Sequence, residues 1–200
     1  MATTEERVAQ AAPAGTPADA AAFAELLRRV EALEAEQGTT VKKKNKMTIV
    51  AWGGNLDQIW PTTILATTAA ASGMESSVFF TFWGLFAIVK PGVRITGENW
   101  MQKMMSVMNP GSAEKAKLSR YQFAGAGPAM FKKLAVDHQV AQPDELIGLA
   151  QDLGVRLIPC QMTMDLLGLK REDLIDGLEE PIGAATAILD MKDAAISLFI

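Results

Sequence analysis

Apolar positions along the chain follow two rhythms: short continuous runs closed by glycine or proline, and stripes at spacings of three and four. The runs MTIVAWGG (47–54), SSVFFTFWG (76–84) and VRLIPC (155–160) are apolar at nearly every position, which predicts strands buried on both faces. AISLFI (195–200) predicts a final strand at the terminus. Helical segments alternate with these runs. After a first strand, Asp57 is placed to cap a helix whose inward face is Trp60, Ile64, Leu65 and Thr68, ending near Gly73. MFKKLAVDH (130–138) reads as helix, and PDELIGLAQDLG carries Pro143 at its start and Gly154 past its end. QMTMDLLGL (161–169), REDLIDGL (171–178) and GAATAILDMKDA (183–194) are three more helical segments, and a weak strand signal lies near Gly177 to Ile182. Alternation of strand and helix implies a three-layer α/β domain around a mostly parallel sheet of four to five strands.

The ends of the chain read differently. Residues 1–18 are rich in Ala, Thr, Pro and Gly without periodicity, and predict a mobile tail. Residues 19–44 comprise a helix with Phe23, Leu26, Val30 and Leu33 on one stripe, ended by Gly38, then the basic segment VKKKNK, expected as a solvated linker. That appendage fits an oligomerisation or docking helix and fits equally a helix packed on its own domain. The α/β domain then occupies 45–200, interrupted at about 85–124 by an insertion of short helices. Met101, Met104, Met105 and Met108 make an apolar face in that insertion, expected as core or subunit contact.

Composition removes several function classes. A net charge of −4 gives no basic surface for nucleic acid. One cysteine and one histidine cannot furnish the four ligands of a structural zinc site, so no metal is expected, and a lone cysteine makes no intramolecular disulfide. With no secretory signal pattern, the cytoplasm is the expected compartment. The longest apolar stretch, Val78 to Val89, is shorter than the roughly 20 residues of a membrane-spanning helix. It fits a buried strand and its exit, membrane contact being the less favoured reading.

Candidate chemistry gathers at Cys160. In open parallel sheets the functional crevice lies beyond the carboxyl ends of strands, and Cys160 sits at such an end directly before a helix. Backbone N–H groups there favour a thiolate over a thiol of reference pKa about 8.5. A free cysteine is also among the residues most often buried as a small hydrophobe, and from the residues alone the two readings stand level. Gly53, Gly54, Asn55, Trp83 and Gly84, at the other strand ends, could frame a pocket with Cys160, Gln161, Met162 and Met164, or serve tight turns. His138 is a weak candidate base for the thiol. CQMT lacks the second cysteine of a dithiol, and GAGP (125–128) is neither a P-loop nor a full GxGxxG, so no nucleotide or other cofactor is expected.

Three segments carry a family resemblance: LGVRLIPCQMTMDLLGL (153–169), KLSRYQFAGAGPAMFKK (117–133) and GAATAILDMKDAAISLFI (183–200). From about Lys46 to Ile200 the chain resembles the DsrE/DsrF-like family, in its long branch labelled peroxiredoxin and related to sulfur relay. Cys160, Met162, Met164, Asp165 and Gly168 stand where that branch has them. The resemblance implies a flavodoxin-like fold and a cysteine that takes sulfane sulfur as a persulfide and hands it to a TusA-like carrier or a rhodanese, within a homo-oligomer. Only Cys160 carries over as an active residue, with Met162 and Met164 as apolar shields. Pro159 departs from the pattern, which has a small residue there, and proline removes a backbone donor beside the thiol. The expected function is sulfur transfer; the alternative is a non-catalytic binding or scaffold module with a structural cysteine. The chain lacks the Pro-x-x-x-Thr/Ser-x-x-Cys surroundings expected of a one-cysteine peroxidase.

Overall fold

The structure is a computed structural model and describes residues 17–38, 44–93, 100–102 and 112–200. Most of the expected tail, linker residues 39–43, and Met104, Met105 and Met108 lie outside them. The chain divides into two compact units between Lys42 and Lys43. In the first, helix α1 (Pro17–Gly38) leaves Leu26 and Val30 exposed and Phe23 half-buried, with Arg29 paired to Glu25 one turn away.

The second unit is the α/β domain. Its strands β1 (Lys44–Ala51), β2 (Glu75–Phe80), β3 (Arg156–Pro159) and β4 (Ala194–Phe199) form one sheet in the order β3-β2-β1-β4, every pair parallel. Lys46 stands opposite Glu75, Ser77 opposite Arg156, and Met47 opposite Ile196. Among the described residues the domain also has the α-helices α2 (Leu56–Ala71), α3 (Ala126–Asp137), α4 (Pro143–Asp152), α5 (Gln161–Leu167) and α6 (Ala184–Asp193). The fold is the expected α/β one, with a four-stranded sheet. The weak signal near Gly177 to Ile182 reduces to a single bridge between Ile182 and Cys160.

Side-chain alternation along the strands sets two faces. Met47, Ile49, Ala51, Val78, Phe80 and Leu157 face a large core with Ile59, Trp60 and Ala66 of α2 and Leu146, Ile147 and Ala150 of α4. Val50, Phe79, Ile158 and Cys160 point the other way, into a small cluster with Ala187 of α6. On this face α6 supplies Ala187, with its Met191 packed against the cluster.

Several local readings shift. The basic stretch before Met47 is not all linker: β1 begins at Lys44, and the Lys46 side chain is only 5% exposed. Helix α2 starts after Asn55, whose backbone and side-chain N–H groups donate to Gln58 Oε1, so Asp57 is not its cap. Asp57 instead accepts from the Ser119 amide at 2.8 Å and from the Ser119 hydroxyl. Burial pushes the Asp57 carboxyl up, but these two bonds outweigh it and hold it below the usual aspartate value. The inward face of α2 is also displaced: Ile64 and Leu65 are each 39% exposed, while Ile59, Thr63, Ala66 and Thr67 are buried. Threonine can face a core here because Thr63 donates to the Ile59 carbonyl and Thr67 to the Thr63 carbonyl, leaving their methyls to pack. The start of the insertion belongs to the core, for Leu85 to Val89 are buried and Val89 bridges antiparallel to Leu174. The helix expected at 171–178 shortens to a single turn at Arg171–Asp173.

Candidate functional site

Cys160 follows β3 immediately and occupies the position before α5, in extended conformation (φ −83°, ψ 115°). Its amide donates to the Phe80 carbonyl at 2.9 Å and its carbonyl accepts the Met164 amide at 3.0 Å. The residue joins the sheet and the helix, as its place in the sequence predicts. Its side chain is 1% exposed, among Val50, Phe79, Ile158 and Ala187, with Ile182 and Met191 packed against that cluster. The thiol is therefore free but sealed in this conformation.

Pro159 leaves the ladder intact. Its carbonyl accepts the Ile182 amide at 3.1 Å, so its polar backbone edge faces outward from β3, which is an edge strand. The missing N–H falls on that outer side, where proline is tolerated. The amides that follow are both engaged: that of Cys160 by the Phe80 carbonyl at 2.9 Å and that of Gln161 by the Ile182 carbonyl at 3.0 Å.

The glycine-rich strand ends pack backbone against backbone. The Gly84 amide donates to the Trp52 carbonyl at 2.9 Å, and a Cβ on Gly84 would lie 2.1 Å from the Ala51 carbonyl oxygen. A Cβ on Gly54 would lie 2.4 Å from the Trp83 carbonyl oxygen. Gly53, Gly54, Asn55, Trp83 and Gly84 thus come together, but as a close crossing of two turns that needs glycine for space. Thr163, which the sequence reading missed, ties this crossing to α5. Its hydroxyl lies 3.1 Å from that of Thr81 and accepts the Phe82 amide at 3.2 Å. A threonine one turn into a helix carries no sequence signal for such a role. Phe82 is held at φ +46°, a left-handed conformation unfavourable for a bulky side chain, and together with Trp83 it stays exposed.

The remaining pocket candidates separate. Met162 is 56% exposed and Met164 is buried with Leu167 and Leu169 in the α2-side core, so the two methionines do not jointly enclose the thiol. Gln161 is exposed and donates to Asp165 at 2.7 Å. His138 ends α3 and lines a cleft of about 470 Å³ with Trp60, Ile64 and Phe131, on the side of α2, whereas Cys160 faces α6. It does not serve Cys160 as a base here.

Below Cys160, at the opposite end of the same sheet face, lies a charged cluster. Arg156 donates to both carboxylate oxygens of Glu179, at 2.7 and 2.9 Å, and to Asp190 of α6 at 3.2 Å. Lys46 Nζ lies 3.1 Å from Asp190 and 3.5 Å from Glu75. The hydrogen bond to Glu179, opposed by burial and aided by the three carboxylates, raises the Arg156 pKa further above its ordinary value. The same bond, against burial, holds the Glu179 carboxyl below its ordinary 4.5. A carboxylate with a depressed folded pKa stabilises the fold above its unfolded pKa and loses that contribution as pH falls through the folded one. Glu179→Gln is therefore expected to lower the thermal midpoint most at neutral pH, with the gap to wild type closing below pH 4.5, as followed by circular dichroism melts.

Comparison with known proteins gives the chain relatives. The sequence model of the DsrE/DsrF/DrsH-like family matches residues 43–199. The uncharacterized protein YrkE of Bacillus subtilis (strain 168) is 37% identical over 159 residues, covering 80% of this chain and 99% of its own. The sulfur carrier protein DsrE2 of Allochromatium vinosum is 34% identical over 168 residues, covering 79% of this chain and 99% of its own.

Proposed function

The chain belongs to the DsrE/DsrF/DrsH-like family, and from that premise we propose that it is a sulfur carrier of a sulfur relay, holding sulfane sulfur on Cys160. The observation that carries the reading is the position of its one cysteine at the carboxyl end of a parallel strand, in a domain similar along nearly its whole length to a named sulfur carrier.

The chemistry is a group transfer without net oxidation. The Cys160 thiolate attacks the outer sulfur of a donor persulfide, a new Sγ–S bond forms, the donor's S–S bond breaks, and its electron pair leaves with the donor thiolate. The proton on the outer sulfur travels with it until the persulfide ionises. Transfer to an acceptor thiolate repeats the step in reverse order. A single cysteine cannot resolve the persulfide within the chain, so a second sulfur-transfer protein, a TusA-like carrier or a rhodanese, takes that part. The reading places the protein in the cytoplasm as a homo-oligomer. No helix among the described residues is long and apolar enough to cross a membrane.

Incubation with polysulfide followed by intact mass spectrometry tests the reading. Wild type is expected to gain the mass of sulfur atoms removable by dithiothreitol, and Cys160→Ala to gain none. No uptake by wild type, or equal uptake by the variant, overturns it.

The near-complete burial of Cys160 in an apolar cluster favours a second reading, a non-catalytic binding module with a structural cysteine. In that case native protein resists thiol titration and reacts only after denaturation.

A further inference from the structure

Cys160 is sealed beneath a cover, and the construction of that cover shows where it can give. Residues 179–182 run up the outer edge of β3: Glu179 N–H bonds the Leu157 carbonyl at 3.0 Å, and Ile182 exchanges bonds with Pro159 and Gln161. At Gly183 the chain turns into α6, which runs back down across the sheet face to Asp190 and Asp193, from where β4 starts. The segment is a hairpin whose tip, Ile182 to Ala184, stands at the level of Cys160. Its two feet, Glu179 and Asp190, are gripped by the single guanidinium of Arg156, with Lys46 adding a second cation on Asp190.

The attachment is uneven. At the feet are a bidentate ion pair and a half-buried carboxylate between two cations. At the tip are two backbone hydrogen bonds and the side chain of Ile182. Of α6 only Ala187 is buried, while Ala184, Ala185, Thr186, Ile188 and Leu189 are exposed, and Gly183 gives the helix no side-chain cap. A segment so loosely held at one end opens there first, because local opening follows the sparsest contacts.

We propose that residues 179–193 form a flap that gates Cys160, its feet clamped by Arg156 and its tip lifting at Ile182 to admit a sulfur donor. The gate has its purpose only within the sulfur-carrier reading, but it is measurable without sulfur. Arg156 is a positioning residue in this scheme and touches no sulfur.

Cys160 is the sole cysteine, so maleimide labelling of the full chain reports on it alone. N-ethylmaleimide is expected to label native protein at a rate that changes little at low urea, while global unfolding, followed by circular dichroism, depends steeply on urea. Ile182→Ala should speed labelling about tenfold by removing the apolar anchor of the tip, and Ile182→Val by a smaller factor. Arg156→Gln should speed it roughly fivefold. Labelling that tracks global unfolding in urea slope, or an unchanged rate in both Ile182 variants, overturns the flap; an unchanged rate in Arg156→Gln overturns the clamp. Polysulfide loading separates this from the function itself. Sulfur uptake by a protein whose labelling tracks global unfolding removes the flap and keeps the carrier, whereas rapid gated labelling without sulfur uptake does the opposite.

Discussion

Gly84→Ala is expected to cost about 3 kcal/mol of stability, read as a lowered urea midpoint with an unchanged slope. An added Cβ would sit 2.1 Å from the Ala51 carbonyl oxygen and 2.7 Å from its carbonyl carbon, and both belong to backbone that cannot rotate away. The same turn supplies the bond from the Gly84 amide to the Trp52 carbonyl, so relief of the clash pulls on β1 and on the turn after β2 together. Because Thr163 bonds Thr81 and Phe82 at that crossing, the disturbance reaches α5 and the backbone of Cys160. The effect is one of structure: a midpoint equal to that of wild type would show that the two turns can part without loss.

The second large effect is at Cys160, where the two usual replacements should differ. Cys160→Ala removes one buried sulfur and leaves a small apolar gap, expected to cost about 1 kcal/mol. Cys160→Ser places a hydroxyl among Val50, Phe79, Ile158 and Ala187, whose side chains offer no partner; held there it costs about 1–3 kcal/mol more, a penalty it escapes only by turning to cap the first-turn amides of α5. Both should abolish sulfur loading. Alanine is thus the cleaner test of function, and thermal melts of the pair measure whether a hydroxyl finds a partner here; a serine variant as stable as the alanine one would mean that an α5 amide or water reaches it.

Much of the fold is legible in the chain. The apolar runs ending at Gly54, Gly84 and Cys160 announce parallel strands because only a strand covered on both faces tolerates so few polar positions. Pro143 and Gly154 bracket α4 because proline fits a helix's first turn and glycine adopts the left-handed conformation after its last, at φ +74°. The place of Cys160 between strand and helix follows from the same local rules, and the family from the residues around it.

Other features answer to partners far along the chain. Helix α2 carries apolar residues on more than one side, and packing on the sheet buries Ile59, Thr63 and Ala66 rather than Ile64 and Leu65, the Thr63 hydroxyl being satisfied by the Ile59 carbonyl. Lys46 reads as one more lysine of a basic stretch until strand pairing sets it beside Glu75 and α6 brings Asp190 over it. Arg156 meets Glu179 and Asp190 across separations of 23 and 34 residues, which no periodicity reports.

By itself the sequence determined where most of the strands and helices lie, that the sheet is parallel, and where its one thiol lies, for these depend on propensity and pattern over a few neighbouring residues. Only the tertiary structure decided which sheet face Cys160 enters, that α6 seals it there, and that Arg156 holds both feet of the cover. Those outcomes depend on side chains meeting across the whole domain, and the energy of such meetings is written in no local stretch of the chain.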